Sequence, residues 1–137
     1  MTATAGVING SLLTVKVGGS LIAAGTTHNF SPTAAVRYTT NKDNLGWRTI
    51  MPGVKSWTCS GTHMFTFDAT YGYAQLFTAW TNRSICAITF GSATAGDTYF
   101  SGSAYITSLP VDAPSEENAT FTVQFEGTGA ITSSTTT

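Results

Sequence analysis

The chain has 137 residues, a length that suits one domain able to bury about two thirds of its unfolded surface without a metal or disulfide. Only 9% of its residues are charged and the net charge is −1 with no basic run, which excludes an electrostatic surface for gripping nucleic acid. The sequence shows no membrane-spanning apolar run and no signal-peptide pattern, so we expect synthesis in a cytoplasm, no membrane anchor and reduced cysteines.

The N-terminal third predicts an arm followed by short strands. Residues 1–11 are small and polar and predict a flexible arm. Alternation of apolar and polar residues then predicts extended segments, with a hairpin at Gly18-Gly19 and an interruption at Pro32. These segments cover residues 13–17, 21–24, 26–31 and 34–40.

A long loop is predicted at residues 40–53. It begins with a polar, turn-rich stretch, continues through an apolar stretch around Trp47, and ends at Pro52-Gly53. Long loops in compact domains are usually functional or disordered, and a central Trp argues against disorder. We therefore expect contact with a ligand or partner. The alternative is that the loop folds back and Trp47 covers its own core.

One helix is predicted at about residues 70–82, after a hairpin whose strands cover residues 54–59 and 63–67 and are joined by a tight turn at Ser60-Gly61-Thr62. Asp68 or Thr70 can cap its N-terminus, and Asn82 can close it. Its apolar residues recur at helical spacing and form one stripe, which we expect to pack on a sheet. The stripe consists of Tyr73, Leu76, Phe77 and Trp80.

The C-terminal half predicts three strands, at residues 84–90, 98–109 and 119–126, with a solvent-exposed loop at residues 110–118 that holds two prolines and three acids. The segment after Gly129 is low in complexity and is expected to fray. The fold class is therefore mainly β, a sandwich or small barrel with one flanking helix. We divide the chain into an arm (1–11), a domain (12–132) and a tail (133–137).

The residue types needed for catalysis are present but not in catalytic patterns. His28 and His63 are isolated in sequence, and although Cys59 and His63 are spaced for a zinc site, a second pair of ligands is missing. Glu116 and Glu117 are adjacent on a loop and cannot face each other as an acid and base pair. We therefore expect that the chain is not an enzyme and that it binds neither a cofactor nor a metal ion.

Residues 39–57 read TTNKDNLGWRTIMPGVKSW and contain the pattern T-x-K-D-x-x-x-W-x-x-x-x-P-G-x-K-x-W. Four later stretches follow in order: GSAYITSL (102–109), AP (113–114), ENAT (117–120) and FEGTG (125–129). In their order and spacing, these five stretches resemble the major tail tube proteins of long-tailed bacteriophages. The resemblance covers roughly residues 10–132.

The resemblance implies a structural virion protein of the phage tail. Such proteins form hexameric rings whose sheets meet around a lumen, and the rings stack into a tube that conducts DNA without binding it specifically. Tail terminator, tape measure and tail-tip proteins are the implied partners, and we expect a lumen lined by Thr, Ser and Asn. The long loop and the arm would contact neighbouring copies, with the loop residues Thr40, Lys42, Asp43, Trp47, Arg48, Met51, Pro52 and Gly53 at the interface.

Two alternatives stay open at the level of sequence. A carbohydrate- or receptor-binding β-sandwich would use Tyr38, Trp47 and Trp57 as a stacking platform. A tube protein of a contractile injection or secretion system would share the fold.

Overall fold

The computed structural model describes residues 5–22, 25–67 and 71–136. The predicted helix caps Asp68 and Thr70 lie outside these residues, as do parts of the predicted arm, first hairpin and tail. Short 3₁₀ turns occupy Gly10–Leu12 and Lys42–Asn44, and one helix, α1, spans Tyr73–Thr81. Within the described residues the strands are β1 (Thr14–Val17), β2 (Ser20–Leu21), β3 (Gly25–Tyr38), β4 (Ile50–Met64), β5 (Cys86–Gly91), β6 (Thr98–Ser108), β7 (Val111–Asp112) and β8 (Thr120–Thr135).

The strands form one antiparallel sheet in the order β2-β1-β5-β6-β8-β4-β3, with β7 paired to β8. The predicted class, mainly β with one flanking helix, is confirmed. The sheet does not close into a barrel. It curls instead, so that Phe30 of β3 stacks on Phe90 of β5 and Phe100 of β6, with ring centroids 5.3 and 5.6 Å apart.

The core lies on one face of the sheet and follows the period of two along its central strands. In β8 the side chains of Phe121, Val123 and Phe125 are buried, as the alternation predicted. The predicted helix is confirmed, and Leu76 and Tyr73 attach it to this face, where the Tyr73 hydroxyl donates to the Leu109 carbonyl over 3.0 Å. Phe77 and Trp80 remain 47% exposed, so the helix stripe is only partly covered.

The predicted hairpin at Ser60-Gly61-Thr62 is wrong, because β4 runs without a break from Ile50 to Met64. Strands on both sides, β3 and β8, pair with it through this stretch. Gly61 serves close packing: a Cβ there would lie 2.8 Å from His63 and 3.0 Å from His28. The glycine is therefore required by the neighbouring imidazole rings and not by a turn.

Two other predicted breaks are also wrong. Pro32 lies inside β3, which tolerates a proline because among the described residues its backbone pairs only with β4 and its other edge is open. The segment after Gly129 does not fray, because β8 continues to Thr135 and pairs with Thr98–Ser101 of β6. The predicted loop at residues 110–118 is exposed as expected, although it includes the short strand β7.

Candidate assembly surfaces

A β-hairpin of residues 33–56, which we call the distal hairpin, extends beyond the buried core. Its arms are the end of β3 and the start of β4, joined in register at Val36 to Pro52 and Tyr38 to Ile50. No side chain that the structure describes between residues 33 and 56 is buried. The predicted loop at residues 40–53 is therefore shorter than expected, because residues 50–53 already belong to β4.

The connection between the two arms is ordered by threonine hydrogen bonds. The Thr39 amide donates to the Thr49 carbonyl over 3.0 Å, and their hydroxyls lie 2.9 Å apart. The Thr40 hydroxyl accepts from the Thr49 amide at 3.1 Å, and the Asp43 amide donates to Asn41 Oδ1 at 2.9 Å. These bonds fix the polar start of the loop, so the tip is a defined turn.

Apolar side chains at the tip of the distal hairpin face solvent. Trp47 is 77% exposed and Leu45 is 87% exposed, so the alternative in which Trp47 covers its own core is wrong for the single chain. Arg48 places its guanidinium carbon 5.4 Å from the centre of the Tyr38 ring, a cation–π distance. Met51 is also exposed. Contiguous exposed apolar surface is typical of protein interaction sites.

All eight residues predicted at an interface lie on the distal hairpin. The connection contains Thr40, Lys42, Asp43, Trp47 and Arg48. The first residues of β4 include Met51, Pro52 and Gly53. The proposed glycan platform does not form, because Trp57 is only 3% exposed and packs on Gly102 and Gly127. Trp57 is a core residue.

The face of the sheet opposite the core is rich in hydroxyl groups. It crosses β3, β4, β8 and β6, and neighbouring strands exchange side-chain contacts, such as Thr33 to Ser56 at 2.9 Å and Thr62 to Thr122 at 3.2 Å. We call it the hydroxyl face; its members are Thr27, Asn29, Ser31, Thr33, Ser56, Thr58, Ser60, Thr62, Thr122, Gln124, Glu126, Ser103, Tyr105 and Thr107. Glu126 is its only charged member. The face is wide, polar and nearly neutral.

The two outermost strands of this face, β3 and β6, each have an edge that is at least partly unpaired among the described residues. Among the described residues, β3 has no partner on the side away from β4. On the opposite side, β6 pairs with β5 only from Tyr99 to Ala104, so no strand in the described part of the chain pairs with residues 105–108 there. An open groove of about 720 Å³, lined by residues that include Trp80, Arg83 and Tyr105, runs beside this edge. Unpaired strand edges are templates for pairing with another chain.

Strand register also joins the two histidines that are far apart in sequence. His28 of β3 and His63 of β4 place their Nε2 atoms 3.3 Å apart, and His63 is fully buried with no hydrogen-bond partner for its Nδ1 among the residues that the structure describes. Burial, followed by repulsion from His28, lowers the pKa of His63 to about 4. Sequence reasoning treated these residues as isolated, and no local signal could have paired them, because the pairing depends on long-range register.

The described residues do not assemble a metal centre or a membrane segment. No group of three or more His, Cys, Asp or Glu side chains among them is placed to hold a metal ion. Burial raises the pKa of the Cys59 thiol to about 12, so this cysteine is a neutral core residue. In the same part of the chain, no helix is long and apolar enough to cross a membrane.

Comparisons with known proteins agree with this geometry. The family described as "Phage tail tube protein" matches residues 12–133. The comparison with curated proteins returned no significant match. The fold is similar to that of a chain in the tail of the empty GTA (gene transfer agent) particle with C6 symmetry, at 21% identity and a TM-score of 0.80, covering 92% of this chain and 98% of that one.

Two further solved structures share the fold. A chain of the SPP1 tail tube is 16% identical with a TM-score of 0.75, covering 94% of this chain and 80% of that one. A chain of an extracellular contractile injection system, in its sheath/tube terminator, is 16% identical with a TM-score of 0.67, covering 96% and 99%. The family match extends over nearly the whole described sheet. The chain therefore belongs to the phage tail tube protein family and is a structural component of a virion tail.

Proposed function

We propose that this chain assembles into hexameric rings, that the rings stack into a tail tube, and that DNA passes through the tube without specific binding. In this proposal the chain has no enzymatic role. Family membership supports a tube, and the C6 symmetry of the similar gene transfer agent tail supports six copies per ring. A tube of a contractile injection system is the remaining alternative, because a chain of such a system has the same fold.

The hydroxyl face is the main observation that supports the proposal, because a surface of neutral polar side chains lets DNA slide past without binding it. Its side chains are almost all Ser, Thr, Asn and Gln, and its single charge, Glu126, is negative. A basic wall would bind phosphates and slow a sliding duplex. We assign this face of β3, β4, β8 and β6 to the lumen, in agreement with the lumen composition expected from sequence.

Ring closure would use the two open edges of the same four strands. The outer edge of β3 in one copy is free to approach residues 105–108 of β6 in the next, where the groove beside Tyr105 provides room. Such a contact joins two different surfaces, so it can repeat around a ring until it closes. The hydroxyl faces of neighbouring copies would then form one continuous lining.

The distal hairpin would supply contacts beyond the wall of its own ring. Its eight predicted interface residues lie around the tip, where Leu45 is 87% exposed and Trp47, one of the eight, is 77% exposed. Aromatic residues, Met and Arg are enriched at protein interfaces, and Trp47, Met51 and Arg48 fit that composition. The ends of the finished tube would present the same surfaces to terminator, tape measure and tail-tip proteins.

Nuclease protection of DNA tests the assignment of the lumen. Tubes of the variant Thr58→Lys/Ser60→Lys should retain short duplex DNA in a form that nuclease cannot reach, and added salt should release it, because each lysine neutralises a phosphate. Tubes of the matched control Thr58→Asn/Ser60→Asn should retain none. If the lysine tubes retain only nuclease-sensitive DNA, the hydroxyl face lies outside the lumen.

A further inference from the structure

Charge is segregated between two exposed segments of the chain. The distal hairpin (residues 33–56) carries four basic side chains and one acidic side chain, a net charge of +3. The loop at residues 110–118, which we call the acidic loop, carries Asp112, Glu116 and Glu117 and no base, a net charge of −3. All the residues of the acidic loop are exposed. Four of the six bases of the chain therefore lie on one segment and three of its seven acids on the other.

These two segments lie at opposite ends of the molecule. The tip of the distal hairpin precedes Ile50, the first residue of β4, whereas Met64, its last residue, pairs with Thr120 at the end of the acidic loop. An extended strand rises about 3.3 Å per residue, so the ends of β4 are roughly 45 Å apart. Strand β7, inside the acidic loop, pairs with residues 120–121 and holds the loop at that end. The opposite charges cannot meet within one copy.

Exposed apolar side chains accompany the charges at both ends. At the tip of the distal hairpin these are Leu45 and Trp47. Beside the acidic loop, Phe67 is 85% exposed, and Met64 and Phe77 are also exposed. The neighbouring Phe65 is held at this end, because its amide donates to the Ala119 carbonyl over 2.8 Å, and its ring contacts that of Phe67. Each end thus combines a net charge of one sign with exposed aromatic surface.

We infer that the distal hairpin of one copy docks on the acidic loop and the adjacent Phe67 surface of a second copy, in the next ring. This inference rests on the proposed stacking of rings and identifies the surface that receives the hairpin. The contact joins unlike surfaces at opposite ends of the molecule, so it repeats head to tail and extends without closing, as a tube requires. Charge complementarity sets the polarity of the stack, because a hairpin meeting another hairpin brings like charges together.

A charge-reversal pair tests the inference. The first variant, Lys42→Glu/Arg48→Glu, reverses the tip of the distal hairpin, and the second, Glu116→Lys/Glu117→Lys, reverses the acidic loop. Each alone should raise the protein concentration needed for tubes more than tenfold, because a small ionic effect is repeated in every copy around a ring. Rings of the two variants mixed in equal amounts should form tubes again, since each reversed surface then meets its complement. Sedimentation and electron microscopy measure both effects.

The control variant Lys16→Glu lowers the net charge by two, half the change made by the first variant, at a position in β1 outside both surfaces and outside the proposed ring edges, and it should polymerise like the wild-type chain. Wild-type tubes should also need higher protein concentrations as salt is added. If the reversed variants form tubes like the wild-type chain, or if their mixture stays as blocked as each alone, the inference is wrong. If the blocked variants still form hexameric rings, only the contact between rings is lost and the proposed ring is supported. If the wild-type chain forms neither rings nor tubes, the proposed function itself is contradicted.

Discussion

Replacing Trp47 by Ala should impair assembly far more than folding. The side chain is 77% exposed, and because a tryptophan offers up to about 250 Å², roughly 190 Å² of it is available to a partner. At about 25 cal/mol per Å², burying all of that area contributes up to about 5 kcal/mol to an interface. The part already covered, roughly 60 Å², limits the loss of folding stability to about 1.5 kcal/mol.

Two measurements on one protein separate these effects. Urea denaturation followed by circular dichroism gives the free energy of unfolding, and sedimentation over a range of concentrations gives the concentration at which tubes form. A loss of about 2 kcal/mol per contact raises that concentration about thirtyfold. The matched control is Trp57→Ala, which removes a core residue that is only 3% exposed and should lower folding stability by about 3 to 5 kcal/mol.

The reasoning about Trp47 would be refuted by either of two results. A loss of more than about 2 kcal/mol of folding stability would mean that Trp47 belongs to the core of the chain. Tube formation at the wild-type concentration would mean that Trp47 contacts no neighbouring copy.

Three further predictions concern the core. His63 has a pKa of about 4 in the folded chain and 6.5 when unfolded, so its protonation favours the unfolded chain. The free energy of unfolding should therefore be highest above pH 6.5 and should decrease by up to about 3 kcal/mol as the pH falls towards 4. Urea denaturation at several pH values measures this, and a free energy that does not change with pH would contradict it. Gly127→Ala should cost about 1 to 3 kcal/mol, because its Cβ would lie 2.1 Å from the Trp57 ring, whereas Gly129→Ala meets no atom within 4 Å and should cost only the strain of its φ of +81°, about 1 kcal/mol. The Cys59 thiol, with its pKa raised to about 12, should resist thiol reagents at pH 8 until the chain unfolds; fast labelling of the native chain would show that the site opens.

Short-range sequence patterns correctly predicted those elements whose structure depends mainly on their own residues. The alternation of Phe121, Val123 and Phe125 identified the buried side of β8, and helical spacing around Leu76 identified α1. The exposure of Trp47 also agrees with the expectation of a loop that meets a partner. In each case the side chain's role depends on its own element, so a window of a few residues contains the information.

Features set by distant strands could not be predicted. Gly61 suggested a turn, but it is small because His28 and His63 pack against it from two strands. Pro32 suggested a break, but it lies on an edge strand whose outer side carries no pairing among the described residues. The hydroxyl face likewise appears only when the register of β3, β4, β8 and β6 is known, since it combines residues from four separate stretches.

Negative-stain electron microscopy of the purified chain over a range of concentrations tests the central claim most directly. We predict rings with sixfold symmetry and, at higher concentration, tubes of stacked rings with a central channel. Single copies at every concentration, with no ring in any class average, would contradict the account.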